Sequence, residues 1–279
     1  MHKLAFLPKW LPAVVIGTAL LALTAFSSSQ ASAAAPATSA MASATLQHTP
    51  IGGQDLTWNA ATKQLNVNIR LMGLAPNSTH PAHIHVGSCL GSILYTLPNV
   101  VADASGKGVS TTTINNVMGG IPTNTWYIDV HNGPTLSPQS QFLPIACASV
   151  ANTSTSGKTV RSARNMLNGA PAANGSAAGN AQLMLNNGAL TVKVTATGLA
   201  PNTTHAVLIH KGSCLNQGPI AYTLQPMKAD AAGNGMSITM IPNISSIPVQ
   251  GWYAQIHRTT DLSNQTDADP VACGNIVGP

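Results

Sequence analysis

The chain has 279 residues, and twelve Lys and Arg against seven Asp, with no Glu, give it a formal net charge of +5. The basic residues form no cluster with interleaved aromatic residues, so the high pI of about 9.2 reflects a scarcity of acids. This composition argues against a nucleic-acid-binding protein. A surface covered mainly by Asn, Ser, Thr, Gln and Gly is instead typical of an extracellular protein.

The N-terminus has the pattern of a secretory signal peptide. Lys3 and Lys9 precede an uncharged apolar run at 11–26, and Ala31-Ser32-Ala33 forms an A-x-A cleavage site. We therefore predict a signal peptide over residues 1–33 and a secreted, extracellular or cell-envelope protein without stable membrane insertion after cleavage. The apolar run is shorter than the roughly 20 residues that span a bilayer, and a retained anchor is the alternative.

The rest of the chain contains an internal sequence repeat. Residues 65–89 align without a gap with residues 190–214, and fourteen of these twenty-five positions are identical. Such repetition predicts two homologous domains, over 42–150 and 162–279, joined by a polar linker at 151–161. We expect the two domains to fold separately.

Each repeat has the pattern of an all-β domain. The segments "QLNVNIRL" and "ALTVKVTA" alternate apolar and polar residues, as half-buried strands do. The "GLAPN" segment that follows in both repeats supplies Gly, Pro and Asn for a turn. Short strands at regular spacing with frequent turns predict a sandwich or a barrel.

Each repeat carries two cysteines at matching places. The first follows the histidine-rich strand and the second lies near the end of the repeat. In an exported protein such cysteines are expected to form disulfides. The symmetric placement favours pairing within each repeat, as Cys89 with Cys147 and Cys214 with Cys273, while pairing between the repeats is the alternative.

The segment "STHPAHIHVGSC" at 78–89 suggests a metal site. Residues i and i+2 of a strand face the same side, so His83 and His85 should point together, while Ile84 faces the core. His131, at the end of "WYIDVH", is a candidate third ligand from another strand, and three imidazoles suit copper or zinc. A structural or merely exposed histidine pair is the alternative. Asp129 either orients an imidazole or faces solvent, and we predict solvent.

The order of these motifs resembles the copper/zinc superoxide dismutases. The resemblance rests on the "GL" turn, "H-x-x-H-x-H", a cysteine, "NVVADASGKG", "VH" and "AC". The "AHIH" and "WYIDVH" segments are also similar to the chordin-type (CHRD) domain. These resemblances imply an all-β chain of two tandem Greek-key β-sandwich domains of the superoxide-dismutase type, each with one intradomain disulfide.

The resemblance also implies roles for single residues. His83, His85 and His131 match three copper ligands, and Cys89 with Cys147 match the intrasubunit disulfide. His80 matches a structural histidine that supports the ligands without binding the metal. Copper is therefore the expected cofactor, with superoxide or copper itself as the small ligand, and no catalytic residue is assigned.

Two departures from the dismutase pattern concern the first repeat. Ile93 and Thr96 occupy the positions of the last zinc histidine and aspartate, so zinc is not expected in its family position. Pro144 stands where the dismutases have the arginine that attracts the superoxide anion. We therefore expect weak or lost dismutase activity.

The second repeat departs further. Leu208 replaces the first histidine of the pair, which leaves His210 and His257 as matches to copper ligands. His205 matches the structural histidine, and Pro270 again fills the arginine position. We interpret the second repeat as a domain with a degenerate site.

These observations predict a secreted superoxide-dismutase-like protein with a three-histidine copper site in its first domain. The alternative function is that of a non-catalytic CHRD-type extracellular module, structural or adhesive, without metal. The persistence of the second repeat without a complete site is compatible with a scaffold role that is independent of metal.

Overall fold

The computed structural model describes residues 39–152, 160–167 and 172–278. The predicted signal peptide at 1–33 lies outside the described residues. The name "first half" denotes residues 39–152, and "second half" denotes the described residues from 160 onward.

The first half contains strands and one short helix, α1 (Gln139–Phe142). Its strands are β1 (Ser39–His48), β2 (Ile51–Asn59), β3 (Gln64–Met72), β4 (Thr79–Val86), β5 (Ser92–Ala102), β6 (Lys107–Ile114), β7 (Trp126–His131) and β8 (Pro144–Ser149).

The second half repeats this order and includes a second short helix, α2 (Gln265–Ala268), before its last strand. Its strands are β9 (Val160–Leu167), β10 (Ala178–Asn186), β11 (Ala189–Thr197), β12 (Thr204–His205), β13 (Val207–Lys211), β14 (Ile220–Thr223), β15 (Met227–Ala229), β16 (Gly235–Ile241), β17 (Trp252–His257) and β18 (Pro270–Ile276). Each described helix has only four residues, far too few to cross a bilayer.

The alternating sequence pattern produces strands with one buried face. In β3, Leu65, Val67, Ile69 and Leu71 are buried and the residues between them are more exposed. β11 repeats this pattern. The cores therefore consist mainly of aliphatic side chains, as a chain with few aromatic residues requires.

The first sheet has eight antiparallel strands in the order β8-β7-β4-β5-β6-β3-β2-β9. β4, β5 and β6 are consecutive neighbours, and β6 returns to lie beside β3, the strand before them in the chain. This is a Greek-key arrangement. The connection from β6 to β7 crosses in the same way, which places β7 beside β4 and brings "WYIDVH" against "AHIH".

The second sheet has the order β12-β15-β16-β11-β10-β1-β18-β17-β13-β14. β12 and β13 are separated by a single residue, Ala206, and together they occupy the place that β4 has in the first sheet. Because β12 pairs with β15 while β13 pairs with β14 and β17, the two ends of this sheet meet and the sheet curls on itself. The predicted all-β fold of two domains with one disulfide each is confirmed.

The two halves exchange their first strands. β1 pairs with β10 and then with β18, both in the second half. β9 pairs with β2 in the first half, from Gly52 opposite Leu167 to Asn59 opposite Val160. The boundaries predicted at 42–150 and 162–279 follow the sequence repeat. Each sheet, however, takes one strand from the other side of the linker, so the expectation that the two domains fold separately does not agree with the strand pairing.

The hydrophobic cores follow the sheets and not the repeats. Ala42, Ala44 and Leu46 of β1 are buried in the core of the second half. The core of the first half is built from β2 to β8 and includes Ile84 of β4. Apolar burial, the dominant stabilising term in folding, therefore also joins the two halves.

Each half closes its own disulfide, as predicted. Cys89 is joined to Cys147 and Cys214 to Cys273, with sequence separations of 58 and 59 residues. The described residues contain no free cysteine. Both bonds suit an oxidising compartment outside the cytosol.

Replacing Cys214 and Cys273 together by Ala should lower the free energy of unfolding by about 4 kcal/mol, because the bond closes a long loop and restricts the unfolded chain. Urea denaturation of the purified protein measures this loss. The same double change at Cys89 and Cys147 removes a bond that closes a loop of nearly the same length, so it should cause a similar loss. A loss below about 1 kcal/mol in either variant would contradict the loop-closure argument.

Candidate metal centre

β4 and β7 position the three predicted ligands. In β4, His83 and His85 lie on one face, and Ile84 on the other face is fully buried in the core. β7 runs antiparallel beside it, with Asp129 opposite His83 and Tyr127 opposite His85. His131 ends β7, after an irregularity in its pairing with β8.

These three side chains, hereafter the histidine cluster, lie together in the first half. One ring nitrogen from each lies within 4.8 Å of the others, and all three residues are buried. The ring centroids of His83 and His131 are 4.9 Å apart, and that of His85 lies 5.8 Å and 5.9 Å from these two. Such spacing allows three imidazoles to share one metal ion.

Hydrogen bonds orient the imidazole lone pairs. His85 donates through Nδ1 to the carbonyl of Gly91 at 2.7 Å, and His131 donates through Nδ1 to the carbonyl of Phe142 at 2.5 Å. Because a carbonyl only accepts, Nε2 of each ring is left to act as an acceptor. This anchoring through the second nitrogen is typical of metal-binding histidines. Nδ1 of His83 lies 2.8 Å from Nε2 of His131.

Burial favours the neutral form of two of these imidazoles, those of His83 and His131. Desolvation, together with the neighbouring His131 and His85, lowers the pKa of His83 to about 4. Desolvation also lowers the pKa of His131, against the opposing effect of its hydrogen bond to Phe142. Neutral imidazoles present lone pairs at neutral pH, as metal binding requires.

Asp129 is a buried neighbour of the cluster, and the prediction that it faces solvent is wrong. Its Oδ2 lies 3.8 Å from Nε2 of both His85 and His131. Both carboxylate oxygens lack a hydrogen-bond partner among the described residues, as does Nε2 of His85. Desolvation raises the pKa of Asp129 to about 8. A buried carboxyl group without a partner is costly, and a cation held by the three imidazoles would compensate its charge.

His80 supports the cluster from outside. Its Nδ1 donates to the carbonyl of His131 at 2.8 Å, and its Nε2 lies 2.7 Å from the hydroxyl of Ser78. With both nitrogens occupied, His80 is not among the three histidines that share the cluster. This arrangement agrees with the structural role implied by the dismutase resemblance.

The second half also contributes to this support, which the sequence did not indicate. The amide nitrogen of Gln265 donates to the carbonyls of Thr79 at 2.7 Å and Asn132 at 3.1 Å. Its amide oxygen accepts from the backbone N–H of Thr79 at 2.8 Å. Gln265 therefore fixes the chain on both sides of the cluster, beside His80 and immediately after His131.

The second half retains two histidines of the cluster. His210 and His257, hereafter the histidine pair, have ring centroids 6.1 Å apart, close to the 5.9 Å between His85 and His131. Their Nδ1 atoms donate to the carbonyls of Gly218 and Ala268, the equivalents of Gly91 and Phe142. His205 bonds to the carbonyl of His257 as His80 does to that of His131.

Two substitutions change the chemistry of this second set. Leu208, a buried residue, stands where the first half has His83, and Gln255 stands where it has Asp129. The change removes one imidazole and the only carboxylate. The described residues place no third metal-binding side chain beside the histidine pair.

The remaining dismutase positions also lack their usual groups. Ile93 and Thr96, where zinc ligands would stand, are both exposed on β5. Pro144, at the arginine position, lies opposite His131 in the pairing of β7 with β8 and is buried. This geometry offers neither a second metal site nor a cation at those positions.

Comparisons with known proteins support one of the two resemblances. The CHRD domain family matches residues 157–263, which lie in the second half and its preceding linker. A search of curated proteins finds no significant match. The match covers the half with the incomplete site, so it carries no argument about metal. Over residues 157–263, the chain is similar to the CHRD domain.

Proposed function

We propose that the protein is an exported module of the CHRD type whose first half binds one copper ion through His83, His85 and His131. The observation that carries the metal proposal is the histidine cluster itself, with one nitrogen of each ring within 4.8 Å of the others. The two disulfides and the CHRD match support export to an extracellular or cell-envelope location.

The residues present fit such an ion. Three imidazoles suit copper, and the buried carboxyl group of Asp129, which lies within 3.8 Å of two of them, would supply a compensating negative charge when ionised. Copper bound there would supply one-electron redox chemistry. The protein's own contribution is to anchor Nδ1 of His85 and of His131 and to exclude water, since each cluster residue is at most 2% exposed.

Any dismutase activity should be weak. Pro144 brings no positive charge to attract superoxide. The ring of Phe142 packs on His131 with centroids 4.9 Å apart, which restricts approach to the cluster. We expect a rate far below the diffusional ceiling of the fastest enzymes, which is about 10⁸–10⁹ M⁻¹s⁻¹. A stopped-flow superoxide assay of the copper-loaded protein near that ceiling would contradict this.

The second candidate is a CHRD-type structural or adhesive module that needs no metal. The CHRD match falls on the half whose histidine pair is incomplete, which favours a role that the scaffold performs by itself. The two candidates differ in one measurable property, the binding of metal to the first half.

The decisive experiment loads the metal-free full chain with copper, removes unbound ions and measures bound copper and its electron paramagnetic resonance spectrum. We expect one copper per chain with nitrogen hyperfine structure. His83→Leu should weaken binding more than about 100-fold, since even supporting residues cost 10- to 100-fold. The matched control is His257→Leu, the same change in the second half, which should leave that copper in place.

Copper that remains after His83→Leu, or copper that is lost after His257→Leu, would show that the histidine cluster is not the site. Absence of tight copper in the parent protein would favour the metal-free module. Near-ultraviolet circular dichroism of each variant checks that its tertiary structure is retained.

A further inference from the structure

The strand pairing beside the histidine cluster stops one residue before His131. The ladder between β4 and β7 ends with Ala82 opposite Val130. In the same register His131 comes opposite Pro81, and proline has no N–H to donate to a neighbouring strand. The end of β7 that carries a cluster residue therefore lies beyond its ladder with β4.

The side chain of Gln265 bridges the two strands beyond this point. Gln265 belongs to α2 of the second half, and its amide nitrogen donates to the carbonyls of Thr79 at 2.7 Å and of Asn132 at 3.1 Å. Its amide oxygen accepts from the N–H of Thr79 at 2.8 Å. A primary amide donates and accepts as a backbone peptide group does. Gln265 thus replaces the missing backbone bonds between the start of β4 and the residue after β7.

The second half closes the same gap with its own backbone. Ala206 stands where the first half has Pro81, and its N–H donates to the carbonyl of Thr259 at 3.0 Å. Gln139, the equivalent of Gln265 in α1, is exposed. The second half therefore does not need a glutamine bridge, whereas the first half, with its proline, does.

Gln265 is not the main connection between the two halves. The exchanged strands β1 and β9 join them through two long ladders. Near Gln265, the side-chain amide of Asn132 also donates to the carbonyl of Thr266 at 3.2 Å, and the carboxyl group of Asp269 accepts from the N–H of Ala75 at 3.3 Å. Loss of the Gln265 amide should therefore leave the halves in place and act locally, beside the histidine cluster.

We infer that Gln265 is a positioning residue for the proposed copper site and fixes His131 relative to the two cluster residues on β4. The inference rests on the proposed function for its effect on copper, whereas its effect on the imidazoles is measurable without metal. It gives the second half, whose own set of ligands is incomplete, a role in the site of the first half.

The bridge matters because the other anchors of His131 are close to it in the chain or on the same strand pair. Its Nδ1 donates to the carbonyl of Phe142, and its own carbonyl accepts from His80. Without Gln265, the chain at Asn132 is free to shift along β4 and carries the imidazole with it. A displacement of about 0.5 Å is enough to disturb a metal site.

The test compares Gln265→Met with Gln139→Met in the full chain. Methionine is unbranched and flexible like glutamine but has no amide, so the change removes the bridge and largely keeps the volume. Long-range ¹H–¹⁵N spectra of the metal-free proteins report on the histidine ring nitrogens. Copper titration against a competing chelator gives the affinity, and electron paramagnetic resonance of the loaded proteins gives the copper geometry.

We expect Gln265→Met to shift the ring resonances of His131 in the metal-free protein and to change the copper hyperfine splitting. Copper binding should weaken roughly tenfold, the lower end of the range for residues that support ligands. Gln139→Met, the same change at the exposed equivalent, should leave all three properties as in the parent. Gln265→Asn, whose shorter side chain does not span both strands, is a second variant with the same expected direction.

A rescue variant tests the reason for the bridge. Pro81→Ala, combined with Gln265→Met, restores the N–H that Ala206 provides in the second half. It should recover at least half of the tenfold loss on a logarithmic scale, or roughly threefold in affinity. No recovery in a folded double variant would overturn the explanation that Gln265 replaces a backbone bond.

Unchanged ring resonances in folded Gln265→Met would overturn the inference, and so would weaker copper binding with an unchanged paramagnetic spectrum, because a variant that is merely less stable behaves in that way. Near-ultraviolet circular dichroism checks that each variant is folded. A parent protein that binds no copper would overturn the proposed function, and the metal-free resonances would still decide whether Gln265 positions the histidine cluster.

Discussion

Replacing Asp129 by Asn should make the metal-free protein more stable, and this gain should grow as the pH rises from 4 to 8. Desolvation raises the pKa of Asp129 from 3.8 to about 8, so in this window the folded protein retains a proton that the unfolded chain releases. The parent therefore loses stability with rising pH. A pKa change of this size corresponds to at most about 5 kcal/mol at pH 8, and to less where the protein relaxes around the charge.

Denaturant unfolding of both proteins at several pH values measures this difference. The histidines whose pKa values are lowered add an opposite slope between pH 4 and 6.5. Both proteins contain them, so the contribution of those that lie away from Asp129 cancels in the difference. Gln255 shows that the fold accepts an amide at the equivalent position of the second half. A difference between variant and parent that does not change with pH would contradict the assigned burial of an unpaired carboxyl group.

Copper should reverse the order of stability. The bound ion would compensate the Asp129 carboxylate, so the parent should gain more stability from copper than the variant does. The matched control for the pH series is Asp103→Asn. Hydrogen bonds from Ser105 and Lys107 lower the pKa of this exposed residue, so replacing its carboxylate should destabilise the protein above pH 4. Equal stabilisation of the parent and Asp129→Asn by copper would show that the carboxylate does not act on the ion.

The histidine cluster was largely predictable because strand periodicity is a local property. His83 and His85 are two residues apart, so any strand through them places both on one face. His131 required the Greek-key crossover that brings β7 beside β4, so the residues alone made it a candidate and the dismutase resemblance then supported it. The copper assignment itself stays a prediction.

The position of Asp129 was mispredicted for an energetic reason. Strand periodicity places Asp129 on the same face as His131, but an unpaired carboxylate is normally expected in water. A sequence does not reveal that three buried imidazoles lie at that face. The contact of Gln265 with Thr79 was equally hidden, since it joins residues 186 positions apart.

The exchange of β1 and β9 was not predictable because the two strands are homologous. Periodicity specifies which face of a strand is buried, but backbone ladders accept either strand as a partner. "SATLQH" of β1 and "SARNML" of β9 are so similar that neither sequence specifies the sheet to which its strand belongs. Only the positions of the strands in space decide the pairing.

Cutting the chain between Asn152 and Val160 should therefore not separate the two halves. β1 pairs with β10 over eight residues, from Ser39 opposite Asn186 to Leu46 opposite Gly179, and β9 pairs with β2 over eight residues in return. Separation would break both ladders. It would also expose Ala42, Ala44 and Leu46 to water.

The test inserts a protease site into the 153–159 segment, cleaves the folded protein and compares it with the uncut protein by size-exclusion chromatography. Each disulfide lies within one fragment, so no covalent bond joins the two after cleavage. We expect one peak at the size of the intact protein in native buffer and two fragments in denaturant. Two folded fragments that separate in native buffer would mean that each half uses its own first strand, because only then does cleavage leave every ladder and both cores intact.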